Sequence, residues 1–304
     1  EEDLRRQRVA ELVRAKQFRG LIDLLNPRKK VTARALIIGD GTFSVRAVRQ
    51  VRKRLFDALW SWDTLATVGL FAIDSDHQPT SDWLATGDVV LDGIEPDPAE
   101  FGDLAISTGA LRDYTEVGGA LSWHYWLPEE VLRIELQRSG FAASPPAGRS
   151  GILFNRNRIK QGLKNVINCI NGNDETNRAR ASGVPIANAY TGSLDVYLLT
   201  ALLGGSGAGS FIEVARIVRE IKRETAQAIH LMGLVALPGA VKAQDGGRKA
   251  RANALALLRE LNVVMTDEFI CVRKHSLDDE PTLQQDEGLF DLVLLVDNAV
   301  NGGG

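Results

Sequence analysis

The run Gly204, Gly205, Ser206, Gly207, Ala208, Gly209 and Ser210 opens with four glycines in six positions. Such a backbone folds tightly and approaches a phosphate without Cβ interference, and the hydroxyls of Ser206 and Ser210 can add donors. A diphosphate or triphosphate is the guest this chemistry implies; the plainer alternative is a turn that lets a helix pack closely. Two further runs share the character. Gly39, Asp40, Gly41, Thr42, Phe43 and Ser44 form a degenerate G-x-G-x-x-G pattern, with Ser44 in place of the last glycine. An ordinary strand-to-helix turn is the competing account. Asp40 would repel a phosphate if it faced one, so it is expected to point away or to act through a metal. Asp74, Ser75, Asp76, His77 and Gln78 set two carboxylates beside such a loop. Mg²⁺ keeps several waters and takes only one or two carboxylates, which suits Asp76 with Asp74 nearby; helix capping by either carboxylate is the alternative. His77 has no second histidine at ligand spacing.

Chemistry of this kind needs strands that end, and helices that begin, at the loops. Ala33 to Ile38 reads as a buried strand, followed by a helical stripe at Val45, Val48, Val51, Leu55, Phe56 and Leu59. Thr67 to Ile73 is a second strand. Between residues 80 and 130 the pattern is irregular, with short strands near Val89 to Leu91, a helix from Glu129, and all five tryptophans between Trp60 and Trp126. Regularity returns with a helix marked by Ile159, Leu163, Val166, Ile167 and Ile170, a strand over Leu194 to Leu203, and a helix carrying Phe211, Ile212, Val214, Ala215, Ile217, Val218 and Ile221. A strand at Ile229 to Leu237, a helix from Arg248 to Leu261 and a strand at Leu292 to Val296 complete the series. Strands apolar on both faces and alternating with helices predict an α/β fold: a doubly wound, mostly parallel sheet with helices on both faces. Ahead of it, residues 4–25 form an amphipathic helix stopped at Asn26 and Pro27, with a short basic linker behind it.

Composition removes whole classes. With 36 Lys and Arg against 39 Asp and Glu, the net charge of −3 argues against a nucleic-acid binder and an acidic disordered tail. Cys169 and Cys271 are too few for a disulfide scaffold and lack zinc-ligand spacing, so a reducing, cytoplasmic setting is expected. No apolar run approaches the roughly 18 residues that span a bilayer. The charged start is unlike a signal peptide, and the absence of an initiator Met suggests a native N-terminus upstream.

At residues 204–209 the chain resembles the GGTGSG signature of the tubulin/FtsZ superfamily, with Ser for Thr and Ala for Ser. Residues 33–44 are placed like that family's first phosphate loop. Phe71 to Gln78 is similar to the FtsZ run IAINTDAQ, and Gly140 to Arg149 is similar to GAGGDPEVGR, the loop that senses the terminal phosphate. Asp245, Gly246, Gly247, Arg248 and Lys249 resemble the turn near the ribose. Leu294 to Asn298 resembles the strand whose Asn reads the guanine edge. The matches run in family order from about residue 33 to 298, and the 80–130 insert with Ala252 to Leu261 is most similar to the bacterial tubulin-like proteins. Thr42, Phe43 and Ser44 stand where FtsZ has glycines; Phe141, Ala142 and Ala143 likewise thin the third loop.

The resemblance implies a GTP/GDP-binding domain over residues 32–304, preceded by an N-terminal helix and linker over residues 1–31. It implies nucleotide contacts at Gly39, Asp40, Gly41, Thr42, Ser44, Asp74, Asp76, Gly140, Ala142, Ala143, Gly204, Gly205, Ser206, Gly207, Ala208, Gly209, Asp245, Arg248 and Asn298, with Mg²⁺ near Asp76. It also implies head-to-tail self-association, in which acidic residues of a neighbouring subunit complete hydrolysis. Those residues follow a long central helix, and the sequence ends at Gly304 before both, so no catalytic residue is assigned and slow hydrolysis is expected of the chain alone. The N-terminal helix either packs against the sheet edge or serves as a contact for a partner protein or a filament. Two other functions remain open: a non-hydrolysing nucleotide scaffold or interaction module, and an NAD-dependent oxidoreductase built on Gly39, Asp40 and Gly41. The last requires Asp74 as the ribose acid, although it lies 33 positions after Gly41 where about 20 is expected.

Overall fold

The computed structural model describes residues 32–59, 65–75, 101–104, 141, 144–183, 185–186, 192–238, 247–265, 270–273, 282–285 and 288–297. The amphipathic segment at 4–25, the tryptophans and the elements expected at 89–91 and from 129 lie outside them.

Six apolar runs become strands of one sheet, and every pairing within it is parallel. They are β1 (Ala35–Asp40), β2 (Val68–Asp74), β3 (Phe101–Asp103), β4 (Leu194–Ala201), β5 (Ile229–Ala236) and, last in the sequence, β8 (Leu292–Val296). A separate antiparallel pair, β6 (Ile270–Arg273) with β7 (Thr282–Gln285), precedes β8. Spatial order in the main sheet is β3-β2-β1-β4-β5-β8. From β1 the chain winds outward through β2 to β3, then returns to the middle and winds the other way from β4. Between β1 and β4 lies the topological switch point, where the loops at the carboxyl ends diverge and leave a crevice.

Helices cover both faces, as the apolar strands require. On one side α1 (Thr42–Leu59) lays Val45 and Val48 against Leu70 and Ala72. The opposite side carries α2 (Pro145–Phe154), α3 (Arg156–Asn171), α5 (Ser206–Thr225) and α6 (Gly247–Val264), and the short polar α4 (Asn173–Ala181) follows α3. There Leu36, Ile38, Val196, Leu198, Leu231 and Val235 from the strands meet Ile159, Leu163, Phe211, Val214, Ile217 and Leu257 from the helices in one cluster. The Phe211 and Phe290 rings stack with centroids 5.0 Å apart, which extends this core toward β8. Burial of a Leu, Ile or Phe side chain contributes roughly 1.5–3 kcal/mol, so the α5 stripe is the largest single reason the helix stays on the sheet. Among the described residues no helix is long and apolar enough to cross a membrane.

The fold class is therefore the expected one. β4 and β5 end at Ala201 and Ala236, short of the Leu203 and Leu237 expected, and β1 runs on to Asp40 rather than stopping at Ile38.

Candidate functional site at the switch point

Three loops meet at the carboxyl edge of the sheet. Gly41 ends β1 with φ +85, a left-handed conformation that a side chain resists. Its N–H donates to the Ile73 carbonyl at 2.8 Å, tying the turn to β2. A Cβ on Gly41 would lie 2.9 Å from the Gly207 nitrogen, and one on Gly207 would lie 2.6 Å from the Asp40 carbonyl oxygen. The first loop and the first turn of α5 thus touch backbone to backbone. The third loop arrives from the other side: a Cβ on Gly205 would sit 2.7 Å from the Ser144 nitrogen, and one on Gly209 would sit 2.0 Å from the Pro145 carbonyl oxygen. Buried Glu213 of α5 clamps the same contact, accepting from Arg149 at 2.9 Å and from Arg216 at 2.7 Å. Gly205, Gly207 and Gly209 therefore hold neighbouring backbone close. Gly204 differs, since a Cβ there would meet nothing within 4 Å and the residue is exposed.

A buried polar network lies beneath the loops. Asp74, at the end of β2, accepts from Thr42 Oγ1 at 2.7 Å, from Ser206 Oγ at 2.9 Å and from the Ser75 N–H at 2.8 Å. Ser75 Oγ and Ser206 Oγ are 3.1 Å apart. Asp74 thereby joins the N-termini of α1 and α5. Asp40 turns into the interior, 1% exposed, with Oδ1 2.6 Å from Ser210 Oγ. Its Oδ2 and the Ser44 hydroxyl are buried without a hydrogen-bond partner. Burial drives the Asp40 carboxyl well above its ordinary value, and the Asp74 charge adds to it; only a hydrogen donated by Ser210 to the carboxylate would act the other way. Ser210 is wholly buried, so its hydroxyl faces Asp40 rather than a ligand.

What this arrangement offers chemically is a place for an anion. The first-turn N–H groups of α5 have no partner within the helix, and the helix dipole makes that end positive. No side chain caps it, its N-cap is Gly205, and its first turn holds no acidic residue. The N-terminus of α1, likewise without acid in its first turn, opens at the same edge. Phe43 stands exposed there. These features fit a phosphate group. Both Asp74 oxygens already accept hydrogen bonds, and the described residues hold no group of three metal-ligating side chains. Asp76, Gly140, Ala142, Ala143, Asp245 and Asn298 lie outside the described residues. Arg248 is exposed in the first turn of α6, on the helix that follows β5. Sequence reasoning missed Ser75, which adjoins Asp74, and the Arg149–Glu213 pair, whose members are 64 positions apart and carry no local signal.

Residues 36–302 match the family described as Tubulin like. No curated protein matches the chain by sequence. Among solved structures it is similar to CetZ from Methanosaeta thermophila strain DSM 6194, at 15% identity and a TM-score of 0.41, covering 79% of this chain and 46% of that one. CetZ2 from Haloferax volcanii, a GTPγS-bound protofilament, gives 14% identity and a TM-score of 0.43 over 87% and 49%. GDP-form protofilaments of TubZ from Bacillus thuringiensis serovar israelensis give 13% and 0.40 over 88% and 48%. The chain spans about half the length of these structures.

Proposed function

The chain belongs to the tubulin-like family, and from that premise we propose that it binds a guanine nucleotide at the switch point and is a GTPase whose hydrolysis is coupled to head-to-tail assembly. The observation that carries the reading is the uncapped, acid-free N-terminus of α5, opening beside exposed Gly204 where the β1 and β4 loops part. Phosphates would lie over that N-terminus, with the first turn of α1 on the other side. By family resemblance Asn298 would offer a donor and an acceptor to guanine, Asp245 and Arg248 would lie by the ribose, and Mg²⁺ would be held near Asp76. In this reading residues 32–304 act as one nucleotide unit and residues 1–31 as a helical extension. Phosphoryl transfer depends mainly on positioning and charge neutralisation, and a head-to-tail contact that does not close generates a filament.

The test is the nucleotide retained by the purified protein, identified by chromatography after denaturation. Guanine nucleotide supports the reading, and adenine nucleotide refutes the role given to Asn298. A fast GTPase rate independent of protein concentration would contradict the coupling to assembly.

One observation favours a second reading, a nucleotide-binding scaffold without turnover: the first loop is filled by exposed Phe43 and buried Ser44. Phosphate release measured against concentration, with pelleting in GTP, separates the two. Gly204→Asp is the variant of choice, because it adds charge in open space, whereas a side chain at Gly207 meets the Asp40 backbone. An oxidoreductase gains no support, since Asp74 is fully buried and both its oxygens are engaged.

A further inference from the structure

The hydroxyl of Ser210 lies 2.6 Å from the Ser206 carbonyl oxygen and 2.6 Å from Asp40 Oδ1. A serine hydroxyl has one hydrogen and two lone pairs. Both separations are short even for an unshared O–H···O bond, so one hydrogen does not serve both. A carbonyl can only accept, which assigns the Ser210 hydrogen to Ser206. The contact with Asp40 is then a hydrogen bond only if Asp40 carries the proton and donates it to Ser210 Oγ.

The surroundings agree. Asp40 Oδ2 is buried without a donor, a position far less costly for the carbonyl oxygen of a neutral acid than for half of a carboxylate. The ionisable group acting on it is Asp74 of β2, whose charge favours the protonated form, as does burial. From α5 it faces Ser210, from β4 Thr200 donates to its main-chain oxygen, and Arg149 of α2 is engaged with Glu213. Among the described residues no cation is set against Asp40.

Location gives the proton a use. The Asp40 carboxyl meets α5 at Ser210, the fifth residue of the helix whose positive end is open to an anion, and the Asp40 main-chain oxygen lies against Gly207 in its first turn. With Asp74 already bonded to Ser206 at the start of the same helix, a second carboxylate there would add to the negative charge that a phosphate meets; a neutral acid does not. We propose that Asp40 is a proton-holding positioning residue: as a neutral acid donating to Ser210 it spares the positive end of α5 a second carboxylate beside Asp74, and its ionisation weakens phosphate binding there. Binding at a pH where free Asp40 has lost its proton therefore takes one up from solvent. This rests on the nucleotide-binding reading above, and it would make occupancy of the site sensitive to pH through a residue that never touches the ligand.

Two measurements test it. GTP affinity is compared between wild type and Asp40→Asn from about pH 5 to about pH 9; titration of GTP itself cancels in the ratio, and Asn keeps an N–H donor toward Ser210. The two proteins should bind alike at the acidic end, and the variant should bind about tenfold more tightly at the alkaline end. A ratio that stays constant with pH overturns the proposal, because a merely structural role would shift stability and leave the profile unchanged. Independently, the infrared carbonyl stretch of a protonated carboxylic acid should appear in wild type and move on ¹³C-aspartate labelling. Its absence at neutral pH overturns the proposal even if Asp40→Asn fails to fold. Failure of both proteins to bind GTP at any pH overturns the nucleotide reading and the ligand half of this one, while the infrared band still decides where the proton lies.

Discussion

A methyl group added at Gly209 would lie 2.0 Å from the Pro145 carbonyl oxygen, whereas one added at Gly204 would meet nothing within 4 Å. Alanine ordinarily gains up to about 1 kcal/mol over glycine within a helix. At Gly209 overpacking against backbone should outweigh that gain, so Gly209→Ala is expected to lose about 1–3 kcal/mol in chemical denaturation. Gly204→Ala should change stability by less than about 0.5 kcal/mol and still weaken GTP binding. Asp40 makes a second prediction at this scale. The folded protein keeps a proton that the unfolded chain releases above about pH 4, so stability should fall as pH rises from there through the raised value, then level off. The slope contributed is at most about 1.4 kcal/mol per pH unit, and Asp40→Asn should lack it in denaturation curves taken across the range. Glycine clustering and the carboxylates at 40 and 74 were readable from the sequence because they are local. The partners were not: Ser210 lies 170 positions from Asp40, and the backbone that fixes Gly205 and Gly209 comes from a different loop.

Elements were legible where one force dominates. Parallel strands covered on both faces are continuous apolar runs, so β1, β2, β4, β5 and β8 stood out, as did the striped helices α1, α3, α5 and α6. Helix α2 was invisible, because its sequence, from Pro145 through Gly148 and Gly151, has weak propensity and its two glycines are imposed by close contact with Gly205 and Phe141. Polar α4 has no apolar stripe, and β3 has three residues. Between α3 and α5 runs a ladder in which Arg156 and Lys160 meet Glu220, and Lys160 and Lys164 meet Glu224. Burial pushes the Glu220 carboxyl up, but Arg156 and Lys160 together hold it below its ordinary value. Its contribution is present above the unfolded carboxylate range and is lost as pH falls through the folded value. Glu220→Gln should therefore cost about 1–3 kcal/mol at neutral pH, and the difference from wild type should shrink toward zero in acid unfolding. Glu224, held down to about 2 by hydrogen bonds from Lys160 and Lys164, is largely exposed, so salt should screen its share.

For the molecule as a whole, β8 is the exception to a well-covered sheet. Leu292, Leu294, Leu295 and Val296 are each about half exposed on a strand that pairs, among the described residues, only with β5. An apolar edge of this kind pairs readily with other chains. Leu294→Lys should reduce nucleotide-independent self-association in sedimentation while leaving GTP-dependent assembly in place, which separates adhesive aggregation from ordered polymerisation. The contact of α2 with α5 has a mechanical meaning at this scale too. Where two elements meet through side chains, rotamer changes absorb small displacements; where Ser144 and Pro145 rest on Gly205 and Gly209 main chain to main chain, nothing soft lies between them. A shift of that turn on ligand release would pass to the root of α5 undamped, and from there along the full length of a 20-residue helix to the opposite edge of the sheet.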